Sequence, residues 1–479
     1  MDSTSHHLIS DEYTEVYSRL SLRLQLTYGI GHVLNDICAS MWFTYLLVFF
    51  HLVLQFDNWE AGLILLIGQI ADAVATPFVG FHSDNSDNFW FCRYGKRKTW
   101  HLVGTICVLG AFPFIFSPCI NCEGSHKWAQ ILYYSVFVII FQFGWAAVQI
   151  SHLSLIPELT PNEHDRTKLI AIRYSFTVIS NVLVYLITWA VLHINSDSNE
   201  SQIGPSDAYK FQTVVWIGLS IGIFCSVIFH LGINEENQYS INNVRAGQPK
   251  RHVFDLLSRI EVYQVALTYM STRLFVNLSQ VFIPLYLHET LNMAASALAL
   301  IPLIMYLGSF LTSIAVEKIN RGFGRKIAYV TGTLIGVSAC VWIQFGSKSF
   351  AMYDIYPISL LFGIGGSIIL VTSLGITADL IGDKTSSGAF VYGVMSFTDK
   401  IANGIAVVII QELHKSHSEK TYYRDIITYV CGGSAVLGAA AVISLLKRRR
   451  DYRAFSDIHI PSQVSINSEI TDERPNENS

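Results

Sequence analysis

Long apolar runs broken by short polar stretches recur at 21–50, 59–81, 99–118, 128–156, 168–193 and 210–232, then at 259–287, 295–317, 326–346, 352–381, 385–411 and 425–446. At 1.5 Å rise per residue, about 20 apolar residues cross a hydrocarbon core of about 30 Å, so each run predicts a membrane-spanning helix. Closed β-barrels are written instead in short alternating segments, which are absent here. A polar stretch carrying Glu235, Glu236, Arg245, Lys250 and Arg251 separates the first six runs from the last six. The pattern predicts an all-α integral membrane protein of twelve helices in two six-helix halves. Its parts are a tail at 1–19, a half at 20–232, a linker at 233–257, a second half at 258–447 and a tail at 448–479.

Composition agrees with that pattern. Of the 479 residues, 51% are hydrophobic and only 14% charged, against roughly 25% charged in a soluble domain. A net charge of -4, with lysines and arginines placed between the runs, excludes a nucleic-acid partner. The basic residues gather in the tails, the linker and the loops after even-numbered helices, which puts both termini in the cytosol. Asn199-Glu200-Ser201 then falls on the opposite side as a glycosylation acceptor. Tyr13 and Tyr17 begin loose tyrosine-x-x-bulky sorting patterns. Of the eight cysteines, only Cys119 and Cys122 have motif spacing, open to a disulfide, a redox pair, a metal contact or an ordinary loop. No zinc-protease motif, phosphate loop or nucleophile elbow is present, so neither an enzyme nor a cofactor is expected.

The stretch from Gly68 to Trp100 holds a buried acid, Asp72, then Gly80 and Asp84 at a helix end, then Arg93, Gly95, Lys96, Arg97 and Lys98. A glycine within a basic cluster returns after the eighth run, in Asn320-Arg321-Gly322-Phe323-Gly324-Arg325-Lys326. Repetition at matching places marks an internal duplication.

These features, with Asp36 in GHVLNDICAS, Pro157-Glu158, Arg166, Arg173, Ala378-Asp379-Leu380 and Phe397-Thr398-Asp399-Lys400, are similar to the major facilitator superfamily. They most resemble its melibiose-permease-like branch, the glycoside, pentoside and hexuronide cation symporters. Within it, GHVLNDICASMWFTYLL, RYGKRKTWHLVGT, FGWAAVQISHLSLIPEL, LVTSLGITADLIG and SGAFVYGVMSF resemble the animal transporters that import cysteine into lysosomes and melanosomes. The resemblance implies the major facilitator fold, a monomer in the lipid bilayer, a small-molecule substrate such as cysteine, and a lysosomal or melanosomal membrane. It also implies a cytosolic gate at Gly80, Asp84, Arg93, Gly95, Lys96 and Arg97, with Asp84 facing the start of helix eleven near Thr385 and Ser386. The branch builds its cation site from several acids; here Thr76 and Gln149 stand where further acids belong. Sodium needs several hard oxygen ligands, so a proton, or no coupled ion, is the expected partner.

An ionised side chain inside the hydrocarbon is costly, so Asp36, Asp72, Arg173 and Lys400 are the candidates for transport chemistry. Lys400 and Arg173 are expected to hold a carboxylate of the substrate and Asp36 an amino or hydroxyl group, with Asp72 the ion or proton switch. Arg273 is a further candidate for the cavity. The competing reading has these charges as fixed pairs that lock helices one, two, five and eleven together. Asp399, about 100° from Lys400 around the helix, is expected to satisfy a helix contact. The alternative cargoes are a sugar, another amino acid or a lysolipid. The alternative class is a membrane scaffold or receptor.

Overall fold

The computed structural model describes residues 20–85, 94–122, 124–160, 163–194, 202–235, 259–346, 351–381, 388–416 and 420–445, all helical or connecting, without a strand. Twelve long helices follow in order. They are α1 (Leu22–Val53), α2 (Asn58–Asn85), α3 (Lys96–Ile115), α4 (Lys127–Ser154), α5 (Glu163–Ile194) and α6 (Ala208–Gly232). The second set is α7 (Ile260–Leu285), α8 (Ala297–Phe323), α9 (Arg325–Phe345), α10 (Ala351–Ile381), α11 (Gly388–Ser416) and α12 (Tyr422–Ser444). Among the described residues nine helices are long and apolar enough to cross a membrane. Of the other three, α7 carries Arg273 and α11 carries Asp399 and Lys400. Prolines inside helices, at Pro77, Pro113, Pro284, Pro302 and Pro357, are tolerated as usual in lipid-facing bundles, where neighbouring helices satisfy the freed backbone.

The end of the bundle where α1 begins is here the near end, and the opposite one the far end. Outside the bundle, large apolar side chains such as Leu132, Trp216, Phe224 and Leu231 are exposed, as lipid-facing positions require. Inside, Trp42, Tyr45, Phe49, Phe50, Phe112 and Phe141 pack without solvent contact. Within the first half α3 packs on α4 and α2 on α4; within the second, α10 packs on α8 and α9, and α7 on α12. The halves meet where α2 lies along α11, α5 along α8 and α1 against α7. Small residues allow the closest crossings. A Cβ added at Gly104 of α3 would stand 2.7 Å from the Gly144 carbonyl oxygen of α4, so that crossing needs glycine.

Departures from regular helix were not expected from the apolar runs; besides a π-helical stretch at Ile426–Cys431 in α12, two bear on the site. First, α1 is interrupted at Gly31 and His32, splitting it into Leu22–Ile30 and Val33–Val48. Phe229 of α6 fills the space a Gly31 side chain would need. Second, α1 and α7 both finish at the far end in one wider, π-helical turn, Phe49–Val53 and Tyr286–Thr290. Such turns reorient side chains and are frequent at functional sites. Their recurrence at the ends of α1 and α7 fits a duplicated chain. So do Gly95 and Gly324, which precede α3 and α9 with positive φ, 120° and 83°, a region natural to glycine.

Candidate functional site

A cavity of about 270 Å³ lies at mid-depth between the halves. The first half contributes α1 and α5 to it, the second α7, α8 and α10. Two charged side chains are among the described lining residues, Asp36 on α1 and Arg273 on α7. Around them stand hydrogen-bonding groups of Ser40, Thr177, Asn181, Asn277 and Gln280, and the rings of Phe43, Tyr174 and Tyr306. A mostly apolar wall with a few convergent polar groups is the usual make-up of a small-molecule site.

Each of the two charges has a supporting set. Asp36 Oδ2 accepts a 2.9 Å hydrogen bond from Thr177 Oγ1, and its Oδ1 lies 3.0 Å from His32 Nδ1, one helical turn earlier. The other nitrogen of His32, Nε2, stands 2.9 Å from the Arg173 guanidinium. Arg173 is therefore held behind the cavity through His32, while its neighbours Tyr174 and Thr177 reach the wall. Arg273 Nε donates to Asp399 Oδ2 at 3.0 Å. Asp399 thus satisfies a helix contact, α11 to α7, and keeps the guanidinium oriented.

Lys400 and Asp72 form a third set, outside the main cavity. Lys400 Nζ lies 2.7 Å from Asp72 Oδ2 and 3.0 Å from Thr76 Oγ1, joining α11 to α2 across the halves. The Thr76 hydroxyl lies 3.2 Å from Asp72 Oδ1. The hydroxyl accepts from the ammonium, and its single proton is shared between the Asp72 backbone carbonyl, at 2.9 Å, and the Asp72 carboxylate. Asp72 also borders a water-sized gap beside Trp42 and Trp145. The four charges expected in one cavity are thus divided: Asp36 lines it, Arg173 backs it, and Asp72 and Lys400 pair beside it.

Contacts across the halves run from mid-depth to the far end. Gln280 of α7 donates to Thr44 Oγ1 of α1 and Tyr306 Oη of α8, each at 3.1 Å. Beyond it, the two π-helical turns meet: His51 Nε2 lies 3.2 Å from Glu289 Oε1, and His414 of α11 approaches Glu289 Oε2 at 3.6 Å. Asn58 reaches His414, and His288 lies 3.2 Å from the Ile203 carbonyl oxygen. Burial holds His288 below the usual imidazole range, with that carbonyl and Glu289 opposing the shift. Also towards the far end, Cys119 and Cys122 are disulfide-bonded.

At the near end the basic cluster is built on Glu235, just past α6. Its carboxylate accepts from the backbone N–H groups of Arg97 and Lys98, at 2.9–3.0 Å, where the first turn of α3 leaves donors unpaired. A side chain at Gly95 would strike that carboxylate, so the glycine serves both φ and space. Arg97 Nε also donates to Glu158 at 3.0 Å and its Nη1 to Ser83 at the end of α2. Burial lifts Glu158 above the ordinary carboxylate range; Arg97 opposes the shift and Glu235 adds to it. Gly80 has open space at its Cβ position, and Lys96 opens α3. Arg93 and Asn199, and the side chain of Asp84, lie outside the described residues, as do the two tails and most of the linker.

Residues 27–413 match the family described as MFS/sugar transport protein. The chain belongs to that family. It is 44% identical over 451 residues to the mouse major facilitator superfamily domain-containing protein 12, covering 89% of this chain and 94% of that one. The human counterpart is 43% identical over 457 residues, with the same shares. Among solved structures, a D-xylose-proton symporter superposes with a TM-score of 0.67 at 13% identity, over 89% of this chain and 98% of that one, which establishes the fold. The protein is a multi-pass membrane transporter of the major facilitator superfamily.

Family membership and geometry together show what a reading of charges passes over. His32, Thr177, Asn181 and Gln280 are neutral by composition and sit inside apolar runs, where nothing marks them as polar clusters. The one available signal was the spacing of His32 and Asp36, four residues apart and so on one helical face.

Proposed function

We propose that the protein moves a small zwitterionic solute, in the first place cysteine, from the cytosol into lysosomes or melanosomes by alternating access of the two halves. The observation that carries this reading is the pairing of one acid from the first half with one base from the second around a single mid-depth cavity. An α-ammonium group fits Asp36 and an α-carboxylate fits Arg273, so one zwitterion spans both halves and senses their relative position. The choice of cysteine and of the organelle rests on the resemblance of the segments around Asp36, Arg93, Trp145 and Asp379. In this scheme Arg273 takes the substrate carboxylate first, and the Lys400–Asp72 pair acts as a cross-half lock that the transport cycle opens. Gly80, Asp84, Arg93, Gly95, Lys96 and Arg97 form the cytosolic gate. Sugars are the second reading, favoured by the neutral hydrogen-bonding groups of Ser40, Asn181, Asn277 and Gln280 on the wall.

The test is uptake of labelled cysteine, other amino acids and sugars into vesicles containing the purified full chain. Saturable cysteine uptake is expected, lowered by about tenfold or more in Asp36→Asn, the scale set by a charge-assisted hydrogen bond of about 1.5–3 kcal/mol. Absence of saturable uptake of every solute by folded protein would overturn the transport reading. Undiminished uptake by Asp36→Asn would overturn the site.

A further inference from the structure

We propose that His32 is the proton-binding site of the carrier, and that a proton arriving there releases Arg173 toward the substrate cavity so that proton and solute bind together. The inference rests on the transport reading above, and it begins from hydrogen-bond polarity. A guanidinium carries donors only, so the His32 Nε2 that lies 2.9 Å from Arg173 must offer its lone pair. The ring is then neutral with its proton on Nδ1, facing Asp36 Oδ1 at 3.0 Å. One tautomer of one charge state turns an acceptor to Arg173 and a donor toward Asp36.

A proton added at Nε2 removes that lone pair. Two cations then face each other at bonding distance and the Arg173 contact is lost, while the link to Asp36 gains a full opposite charge. Arg173 stands one residue before Tyr174 and one turn before Thr177, both of which line the cavity, so the released guanidinium has a short path to it. There it offers a second donor pair to a carboxylate. No bond other than N–H is made or broken: the proton comes from the side the cavity faces and returns to the other side when Arg173 recaptures Nε2.

The surroundings single out His32 from the other histidines near it. On its own helix it faces Asp36, and Asn35 Nδ2 at 3.4 Å. From α5 it faces Arg173. From α4 it faces His152, whose ring centroid is 5.4 Å away and whose Nε2 is 2.8 Å from the Tyr28 carbonyl oxygen. From α3 comes His101, whose Nε2 is 3.1 Å from the Gly31 carbonyl oxygen and whose Nδ1 is 3.1 Å from His230 Nε2 of α6. His101 and His152 therefore spend their Nε2 protons on carbonyls at the break in α1. His32 alone of this group has a ring nitrogen turned to a permanent cation.

The experiment uses the full chain in liposomes, with cysteine as the probe and His32→Gln as the variant. Glutamine offers Arg173 an acceptor and cannot be charged. Wild type is expected to exchange cysteine at equal pH and to accumulate it several-fold more when the side from which it is taken up is the more acidic. His32→Gln, in which Arg173 stays held, is expected to exchange cysteine more weakly than wild type and to lose the stimulation by the gradient. A second measurement needs no solute: labelling of Arg173 by an arginine-specific dicarbonyl, read by mass spectrometry and normalised to the exposed Arg23. Between about pH 7.5 and about pH 4.5, a span that covers the usual range of imidazoles in proteins, normalised labelling should rise several-fold in wild type and stay flat in His32→Gln. Gradient stimulation that survives in His32→Gln, or wild-type labelling that does not change with pH, would overturn the proposal. A wild type that exchanges no cysteine would count against the transport reading instead, and the labelling would still decide the role of His32.

Discussion

Lys400 and Asp72 hold opposite charges 2.7 Å apart with side chains only 12% and 7% exposed. At that burial the pair matters less for the energy it adds than for the charge left behind when one member is removed, about 3–5 kcal/mol. Lys400→Ala is therefore expected to lower the thermal stability of the detergent-solubilised protein sharply, and the double variant Asp72→Asn with Lys400→Ala to recover most of the loss. A double variant as unstable as Lys400→Ala would show that the lysine acts through packing. Residue identity was legible here because any ion in an apolar run stands out. Pairing was not, because it depends on how distant helices are rotated against each other. Asp399 and Lys400 illustrate both sides. A 100° step between neighbours on a helix told that they point different ways, but not that one meets Arg273 of α7 and the other Asp72 of α2. His32 escaped notice for the opposite reason, being uncharged at neutral pH and so no interruption to the hydrophobic pattern.

At the scale of elements, the apolar runs mark all twelve helices, nine of them long and apolar enough among the described residues to cross a membrane, and the bounds follow the runs within a few residues. Interruptions inside a run leave no such trace. Gly31 and His32 sit within a continuous apolar stretch, yet α1 turns there because Phe229 fills the glycine notch and because His101 and His152, from helices far along the chain, take the Gly31 and Tyr28 carbonyls. Those partners are tertiary, so no window of sequence holds the signal. Close crossings have the same character: many glycines lie in the runs, but only the packed bundle tells which are required. At Gly104 the neighbour within 2.7 Å is backbone of α4, which cannot rotate aside. Gly104→Ala is expected to cost about 1–3 kcal/mol, the usual scale of overpacking, read as a lower melting temperature. Gly110→Ala, with open space at its Cβ position, is expected to leave it unchanged. Equal effects at the two positions would contradict this packing of α3 on α4.

For the whole molecule, the paired contacts at the far end and the cavity at mid-depth describe one arrangement of two halves that share little covalent connection. His51 and Glu289 sit on corresponding turns of the two halves and meet each other, so the duplicated fold supplies both members of its own clasp. Opening it while closing the near end would pass the cavity from one side to the other without moving the cavity itself. The six-plus-six pattern was visible in the run lengths and in the repeated glycine and basic cluster. Which charges face the cavity was not, because that needs the two halves docked. The central claim is that Asp36 and Arg273 together read a zwitterion, and the most direct measurement is competition against labelled cysteine uptake in vesicles. The account predicts strong inhibition by unlabelled cysteine and weak or no inhibition by cysteamine, which lacks the carboxylate, or by 3-mercaptopropionate, which lacks the amine. Equal inhibition by all three, or inhibition by sugars alone, would contradict it.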